Sequence, residues 1–169
     1  MEKLLIAVIG NSNSGKSETW KRMFNGRTKT GKHERELQLT ETEYTSVFLV
    51  NGSPGERGIC ITDILEDRLP NIVLASFKYH DEAVDHILHL KENGYYIYCH
   101  WLNPGYSQKG RYADMEYDRV GLVNQLMSHG CMVGIRDGRE HPSNRVEELK
   151  KIIYGWAKTN NLVHEYELN

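Results

Sequence analysis

Residues 4–17, LLIAVIGNSNSGKS, decide the fold of this chain. The first six are apolar without alternation, a pattern typical of a strand that is buried on both faces of a parallel sheet. A loop of small polar residues follows, and after it Trp20, Met23 and Phe24 recur at helical spacing. This stretch therefore predicts a buried strand, a loop rich in glycine and serine, and an amphipathic helix in direct succession.

The rest of the sequence keeps alternating between strand and helix patterns. Apolar runs predict strands at residues 4–9, 47–50, 72–77, 95–101 and 131–136. Periodicity and stop residues predict helices over 62–69, 80–94, 116–130 and 143–159. Ser143 is the expected N-cap of the last helix. Alternation in ELQLTETEY (36–44) predicts one more strand, at a sheet edge. Together these elements predict a single α/β domain over residues 1–169, with a mostly parallel sheet and helices on both faces.

Composition and charge exclude several classes of protein. The chain has 169 residues, of which 39% are hydrophobic, and no apolar run approaches the roughly 18 residues of a membrane span. Its 21 basic and 23 acidic residues give a net charge of −2, which argues against a nucleic-acid or membrane partner bound by the whole surface. Cys60, Cys99 and Cys131 are widely spaced, as in proteins of a reducing compartment. We therefore expect a cytoplasmic protein.

Residues 10–17, called the glycine loop below, fit G-x-x-x-x-G-K-[ST] at every fixed position. Small residues let consecutive backbone N–H groups turn inward around an anion, and the following helix adds the positive end of its dipole. This is the physical basis of phosphate binding by such a loop. Lys16 is expected to reach the β- and γ-phosphates, and the Ser17 hydroxyl to bind Mg²⁺.

The glycine loop resembles the Walker A motif of the P-loop nucleoside triphosphate-binding superfamily. The resemblance implies a three-layer P-loop NTPase-like fold that binds Mg²⁺ and ATP or GTP. The residues that it assigns to the nucleotide are Gly10, Asn11, Ser12, Asn13, Ser14, Gly15, Lys16 and Ser17.

The segment after the second buried strand, NGSPGE (51–56), is open to more than one interpretation. It resembles the D-x-P-G switch segment of small GTPases and equally the D-G-x-P-R segment of nucleoside monophosphate kinases, with Asn51 in place of aspartate. Either resemblance implies that Asn51 lies near Mg²⁺, with Glu56 or Asp63 as an acidic helper. The alternative is a plain turn. The element order also resembles that of small GTPases, but the guanine-reading N-K-x-D motif is replaced by HWLNPG (100–105), so the choice between ATP and GTP stays open.

Residues 90–119 resemble the helix, strand and arginine loop of small P-loop kinases. That resemblance implies that Arg111 and Arg119 neutralise a transferring phosphoryl group. Arg139, in the last loop before the closing helix, is a candidate for stacking on the base. His80, His86 and His89 lack the spacing of a zinc site and are assigned to a solvated helix face.

Three functions are compatible with these patterns. The first is a slow, Mg²⁺-dependent nucleoside triphosphatase that acts as a switch, with the loops at 26–45 and 53–58 contacting a protein partner. The second is a small phosphotransferase that uses the same glycine loop. The third is a nucleotide-binding module without hydrolysis.

Overall fold

Strands and helices alternate along the chain. A computed structural model describes residues 2–65, 68–80, 82–108 and 114–168, and nothing is described of the side chain of Glu56. Within these ranges the strands are β1 (Lys3–Gly10), β2 (Arg35–Gln38), β3 (Glu43–Val50), β4 (Ile72–Lys78), β5 (Tyr95–Leu102), β6 (Met132–Arg136) and β7 (His164–Glu165). The helices are α1 (Lys16–Met23), α2 (Pro54–Arg57), α3 (Ile61–Ile64), α4 (Glu82–Glu92), α5 (Leu122–Ser128) and α6 (Ser143–Thr159). All five strands that apolar runs predict are present.

One mixed, mostly parallel sheet joins all of these strands. Its order is β2-β3-β4-β1-β5-β6, and β7 pairs with the first residues of β3. The neighbours from β3 to β6 run parallel, whereas β2 and β7 are antiparallel to β3. The central strand β1 is therefore flanked by β4 and β5, and β3 lies one strand further away.

Two apolar layers cover the sheet, one on each face. On one face Leu4, Ile6 and Val8 of β1 pack with buried residues of α1 and α6. On the other face the alternate residues of β1 pack with α4 and α5. This is why the sequence of β1 is apolar without alternation. A buried hydrogen bond of 2.7 Å from Trp20 Nε1 to Ser76 Oγ fixes α1 against β4. The α/β prediction with helices on both faces is confirmed.

Two predicted helices have clearly different bounds in the structure, and the predicted cap of the last helix is also different. Helix α3 ends at Ile64, and the positive φ of 44° at Leu69 is incompatible with a helix continuing to residue 69. Helix α5 begins only at Leu122, after Gly121 with its φ of 65°. Ser143 is the first residue of α6 rather than its cap, and its Oγ lies 3.0 Å from Nδ1 of His141.

The stretch 36–44 is part of a hairpin instead of one strand. Its first half belongs to β2, at the sheet edge as expected, and the chain then turns at Thr40–Thr42 into β3. The Thr40 hydroxyl accepts hydrogen bonds from the backbone N–H groups of Thr42 and Glu43, which stabilises this turn. Among the described residues, no helix combines the length and apolarity needed to cross a membrane.

A polar cluster lies between β5, β6 and α6. His100 is fully buried, and its Nε2 is 3.2 Å from Tyr98 Oη and 3.6 Å from Glu148 Oε1. The Glu148 carboxylate also accepts a hydrogen bond of 2.9 Å from Nε of Arg136. Burial lowers the pKa of His100 to about 4 despite the opposing effect of Glu148, with Arg136 and Arg145 also lowering it. The imidazole is therefore neutral near pH 7.

We predict that this buried imidazole makes the fold acid-sensitive. Below its ordinary pKa of 6.5 the unfolded chain binds a proton at His100 that the folded chain does not, so stability falls as pH falls towards 4. The free energy of unfolding should drop by about 2 kcal/mol between pH 7 and pH 5 through this residue. Urea unfolding at the two pH values should show a clearly smaller drop for His100→Gln, while the exposed control His129→Gln should keep the wild-type drop. A variant at His100 with the full wild-type drop contradicts the assignment.

Candidate functional site

The glycine loop begins at a topological switch point of the sheet, where the connections that leave two neighbouring strands run in opposite directions. From β1 the chain passes through α1 to β3 on one side, whereas from the adjacent β5 it passes through α5 to β6 on the other side. The carboxyl ends of β1 and β5 therefore border a crevice. In open α/β sheets this is where ligands bind.

Backbone conformation gives the glycine loop the form of an anion cradle. Asn13 and Gly15 have positive φ angles of 58° and 107°, and Ser14 between them does not. Such alternation turns successive N–H groups towards one side. Lys16, the first residue of α1, folds back over the loop, and its Nζ donates hydrogen bonds to the carbonyl oxygens of Gly10 at 2.9 Å and Asn11 at 2.8 Å. The ammonium group is thus held at the mouth of the cradle.

Ser14 is enclosed by glycines from three loops. A Cβ atom on Gly10 would lie 2.1 Å from Ser14 Oγ, one on Gly105 would lie 2.9 Å from Ser14 Cβ, and one on Gly138 would lie 2.2 Å from the Ser14 carbonyl oxygen. The N–H of Tyr106 also donates to that carbonyl oxygen at 2.9 Å. The loops after β5 and β6 therefore pack directly against the glycine loop.

A cavity of about 990 Å³ opens between these three loops. This volume suits a nucleotide-sized ligand. Ser14 contributes to its wall and is 1% exposed, and its hydroxyl oxygen has no hydrogen-bond partner among the described residues. The lining residues are Asn13, Ser14, Gly15, Lys16, Ser17, Glu18, Tyr106, Ser107, Gly138, Arg139, Glu140, His141, Pro142 and Arg145.

Arg145 is a residue of this cavity that the sequence analysis missed. The residue is 5% exposed, and its guanidinium group donates to Thr19 Oγ1 at 2.9 Å and to the carbonyl oxygens of Gly15 at 3.1 Å and Glu140 at 3.2 Å. Burial lowers its pKa, opposed by nearby carboxylates that include that of Glu18. Arg145 therefore ties the glycine loop to the loop after β6. Nothing in the local sequence separates it from a surface arginine of an amphipathic helix.

The three arginines proposed from sequence have different positions. Arg139 lines the cavity, and its Nε and Nη2 each lie 3.0 Å from an oxygen of the Asp137 carboxylate, which raises the pKa of Arg139. Arg119 is exposed in the turn before α5 and does not line the cavity. Arg111 lies outside the described residues.

Asn51 is not beside the glycine loop. β4 separates β3 from β1, and two strand spacings amount to roughly 10 Å. The N–H of Asn51 donates to Thr30 Oγ1 at 2.9 Å, and its Nδ2 donates to the Thr28 carbonyl oxygen at 3.0 Å. Asn51 therefore has a structural role, because these hydrogen bonds attach the loop before β2 to the end of β3. Asp63, one of the two expected acidic helpers, is exposed in α3.

The residues present fit Mg²⁺ only as a partner of bound phosphates. Ser17 lines the cavity in the first turn of α1, where its hydroxyl can serve as one ligand. Across the described part of the chain, no group of three or more His, Cys, Asp or Glu side chains is arranged to hold a metal ion. Mg²⁺ keeps several waters and commonly takes its other ligands from phosphates and one or two side chains, so such a group is not required.

Comparison of the chain with protein-family models, with curated proteins and with solved structures gave no match.

We predict that Gly138 cannot be replaced without loss of stability. The Cβ of Gly138→Ala would collide with the Ser14 carbonyl oxygen at 2.2 Å, and because the three nearest atoms all belong to the backbone, the loops must shift. We expect a loss of about 2 kcal/mol or more in the free energy of unfolding, measured in urea. The matched control is Gly155→Ala, in α6 with no atom within 4 Å of the new Cβ, which should stabilise by roughly 0.5–1 kcal/mol. Equal effects of the two substitutions would contradict the close approach.

Proposed function

We propose that this protein binds a nucleoside triphosphate together with Mg²⁺ at the glycine loop, hydrolyses it slowly, and acts as a nucleotide-dependent switch. The observation that carries the proposal is the glycine loop itself, with its left-handed residues 13 and 15 at the crevice between β1 and β5, opening on a cavity of nucleotide size. The motif, its backbone geometry and its place in the sheet all favour the same ligand.

The chain's own groups have distinct tasks in this proposal. The inward N–H groups of the glycine loop and the N-terminus of α1 bind the phosphates. When the nucleotide binds, the Lys16 ammonium leaves the carbonyl oxygens of Gly10 and Asn11 and donates to phosphate oxygens instead. Arg145 stabilises the conformation of the glycine loop through its hydrogen bond to the Gly15 carbonyl oxygen. In this proposal the hydroxyl of Ser17 is the protein's ligand to Mg²⁺, which would offset the negative charge of the phosphates. Arg139 and Tyr106, which also line the cavity, would offer flat surfaces to the base.

Hydrogen bonds connect the glycine loop to the two loops proposed as switches. The N–H of Tyr79 donates to the Gly10 carbonyl oxygen at 2.9 Å, and the N–H of Lys78 donates to Ser53 Oγ at 3.1 Å. Ser53 begins the loop at 53–58, and Asn51, two residues earlier, binds Thr28 and Thr30 of the other loop. In the proposed switch, a change in the glycine loop would pass along these contacts to both loops, where a protein partner would bind.

A smaller cavity favours a phosphotransferase as the second candidate function. It has a volume of about 240 Å³, and its lining consists of Ser53, Gly55, Lys78, His80, Glu82, Ala83 and His86. Lys78 pairs with Gly10 in the sheet, so this cavity lies at the end of β4, the neighbour of β1 on the side away from β5. An acceptor molecule bound there would lie one strand away from the glycine loop. Release of inorganic phosphate without any added acceptor distinguishes the switch from the kinase.

Replacement of Lys16 tests the phosphate site. Wild-type protein with Mg²⁺ and ATP or GTP at a hundredfold excess over Kd should gain about 2.7 kcal/mol in stability, measured by thermal unfolding. Lys16→Ala should lose this gain, because the loop then lacks its fixed cation, and should unfold like the wild type when no nucleotide is added.

The matched control for this experiment is Lys21→Ala. Lys21 is an exposed residue of the same helix, in an ion pair of 3.2 Å with Glu18. This variant should keep the full nucleotide-dependent gain. Equal gains in Lys16→Ala and the wild type would rule out the glycine loop as the binding site.

The contacts of Asn103 predict weak discrimination between bases. Its Nδ2 donates to the Glu116 carbonyl oxygen at 2.7 Å and its Oδ1 accepts from the Glu116 N–H at 2.9 Å, so the side chain is occupied within the protein. With N-K-x-D absent as well, we expect ATP and GTP to bind within about tenfold of each other, or about 1.4 kcal/mol. Parallel calorimetric titrations measure the ratio. A preference of a hundredfold for either nucleotide would mean that the cavity reads the base.

A further inference from the structure

Strand β6 forms an open edge of the sheet. It pairs with β5 on one side, and no strand in the described part of the chain pairs with its other side. Its sequence, MVGIR, has Arg136 as its one charged residue and contains no proline. Met132 is 51% exposed and Ile135 is 42% exposed. An apolar edge of this kind is a template for pairing with another strand.

The opposite edge of the sheet, formed by β2, is protected against such pairing. Arg35 and Glu36, the first residues of this short strand, are both charged. The Arg35 guanidinium group also donates a hydrogen bond of 2.6 Å to the Arg27 carbonyl oxygen, which attaches the preceding loop to the strand. Charged side chains and covering loops hinder the pairing of an edge strand with a second chain. Of the two edges, β6 is therefore the one whose sequence suits a partner strand.

The backbone groups of β6 that face the open edge belong to Val133 and Ile135. The N–H of Asn103, which follows β5, donates to the Arg136 carbonyl oxygen at 2.9 Å, so the backbone of Arg136 points towards β5. Successive residues of a strand point their backbone groups to opposite sides, so those of Val133 and Ile135 point outwards. The Ile135 carbonyl oxygen accepts a hydrogen bond of 2.8 Å from Nη1 of Arg136, and a carbonyl oxygen has a second lone pair for another donor.

This edge is complementary to itself in an antiparallel register that is centred on Gly134. In this register Val133 of one copy lies opposite Ile135 of the other, and the two residues exchange both of their backbone hydrogen bonds. Their apolar side chains also face each other. The two Gly134 residues form the intervening pair without hydrogen bonds, in which the Cα atoms approach to about 4.5 Å. Glycine leaves room for this approach.

The side chains on the α6 face of the edge suit the same register. Met132 of one copy lies opposite Arg136 of the other, and Tyr96 Oη donates to Met132 Sδ at 2.8 Å while its ring stacks on Trp156 at 5.6 Å between centroids. The aliphatic part of the Arg136 side chain thus meets an apolar surface. The two Arg136 residues are offset by four positions, or roughly 13 Å, and each forms an ion pair with Glu148 of its own copy. The register therefore brings no unpaired like charges together.

We propose that this protein forms a homodimer in which the β6 strands of two copies pair antiparallel across a two-fold axis at Gly134. One continuous sheet then runs through both copies, with α5 on one face of the paired strands and α6 on the other. The loop after β6, which lines the large cavity, leaves the carboxyl end of the strand, so antiparallel pairing directs the two cavities away from each other. The dimer is thus independent of the proposed nucleotide site.

Sedimentation velocity of the wild type between about 1 and 100 μM tests the association. The wild type should change from monomer to dimer within this range, as is typical of an interface of modest area. Ile135→Lys places a charge in the apolar pair with Val133 and should weaken the association by about tenfold or more. Its thermal unfolding at about 1 μM, where the wild type is monomeric, should match that of the wild type.

The matched control is Ile59→Lys. Ile59 is an isoleucine of similar exposure, 37%, and it lies between α2 and α3, the short helices that follow β3. This variant should associate like the wild type, and so should Lys16→Ala, in which the proposed phosphate site is removed.

A disulfide between the two copies tests the register. In a Cys60→Ser background, which removes the exposed native thiol, Gly134→Cys places two thiols opposite each other, within the roughly 4.4–6.8 Å between Cα atoms that a disulfide needs. The new Cβ would lie 3.0 Å from Nη1 of Arg136, the flexible end of a side chain that can move aside. Mild oxidation should therefore give a covalent dimer. In the control Ile135→Cys, the two thiol-bearing residues are about 8 Å apart and should form little disulfide.

The measurements can overturn the inference in several ways. A wild type that remains monomeric at about 100 μM excludes the dimer. Equal association of Ile135→Lys and the wild type means that a different surface joins the copies. A failure of Gly134→Cys to cross-link, or equal cross-linking of Gly134→Cys and Ile135→Cys, contradicts the pairing centred on Gly134. None of these results bears on nucleotide binding, so failure of the dimer and failure of the proposed function are distinguishable.

Discussion

The close approach of three loops around Ser14 is the constraint on which the site depends. Gly10, Gly105 and Gly138 each come so near to Ser14 that a side chain on any of them would overlap with it. These glycines follow or end β1, β5 and β6, so the contact joins the carboxyl ends of three strands at one point. The glycine loop can keep its left-handed residues because the neighbouring loops enclose it on two sides. The large cavity opens between the glycine loop and these neighbouring loops.

Charge in the site is arranged around this packed centre. Lys16 lies at the mouth of the loop, Arg145 is buried beneath Gly15, and Arg139 stands at the rim in contact with Asp137. The Glu116 carboxylate accepts a hydrogen bond from Asn11, at the start of the loop. The burial of Arg145 is offset by three hydrogen bonds, which is what a buried guanidinium group requires. In the proposed function, the partner of these fixed cations is the bound nucleotide.

The two cavities differ in the ligand that each could bind. The large one, bounded by the loops after β5 and β6, has room for a nucleoside, and the small one lies past the other neighbour of β1. In the proposed function, the large cavity takes the nucleotide, and the small cavity would take an acceptor only in a phosphotransferase. The hydrogen bonds through Ser53 and Asn51 join the same region to the loops at 26–45 and 53–58.

The sequence by itself determined the elements whose formation depends on residues close together in the chain. Six unbroken apolar residues produce the central strand, and the spacing of glycine, lysine and serine produces the loop and the start of α1. Only the tertiary structure decided that β4 separates β3 from β1, which directs Asn51 to Thr28 and Thr30 instead of the glycine loop. It also decided that Arg145 lines the cavity and contacts the glycine loop. Its partner Gly15 lies 130 positions away, and contacts at such separations follow from strand order and packing, which leave no periodic pattern in the sequence.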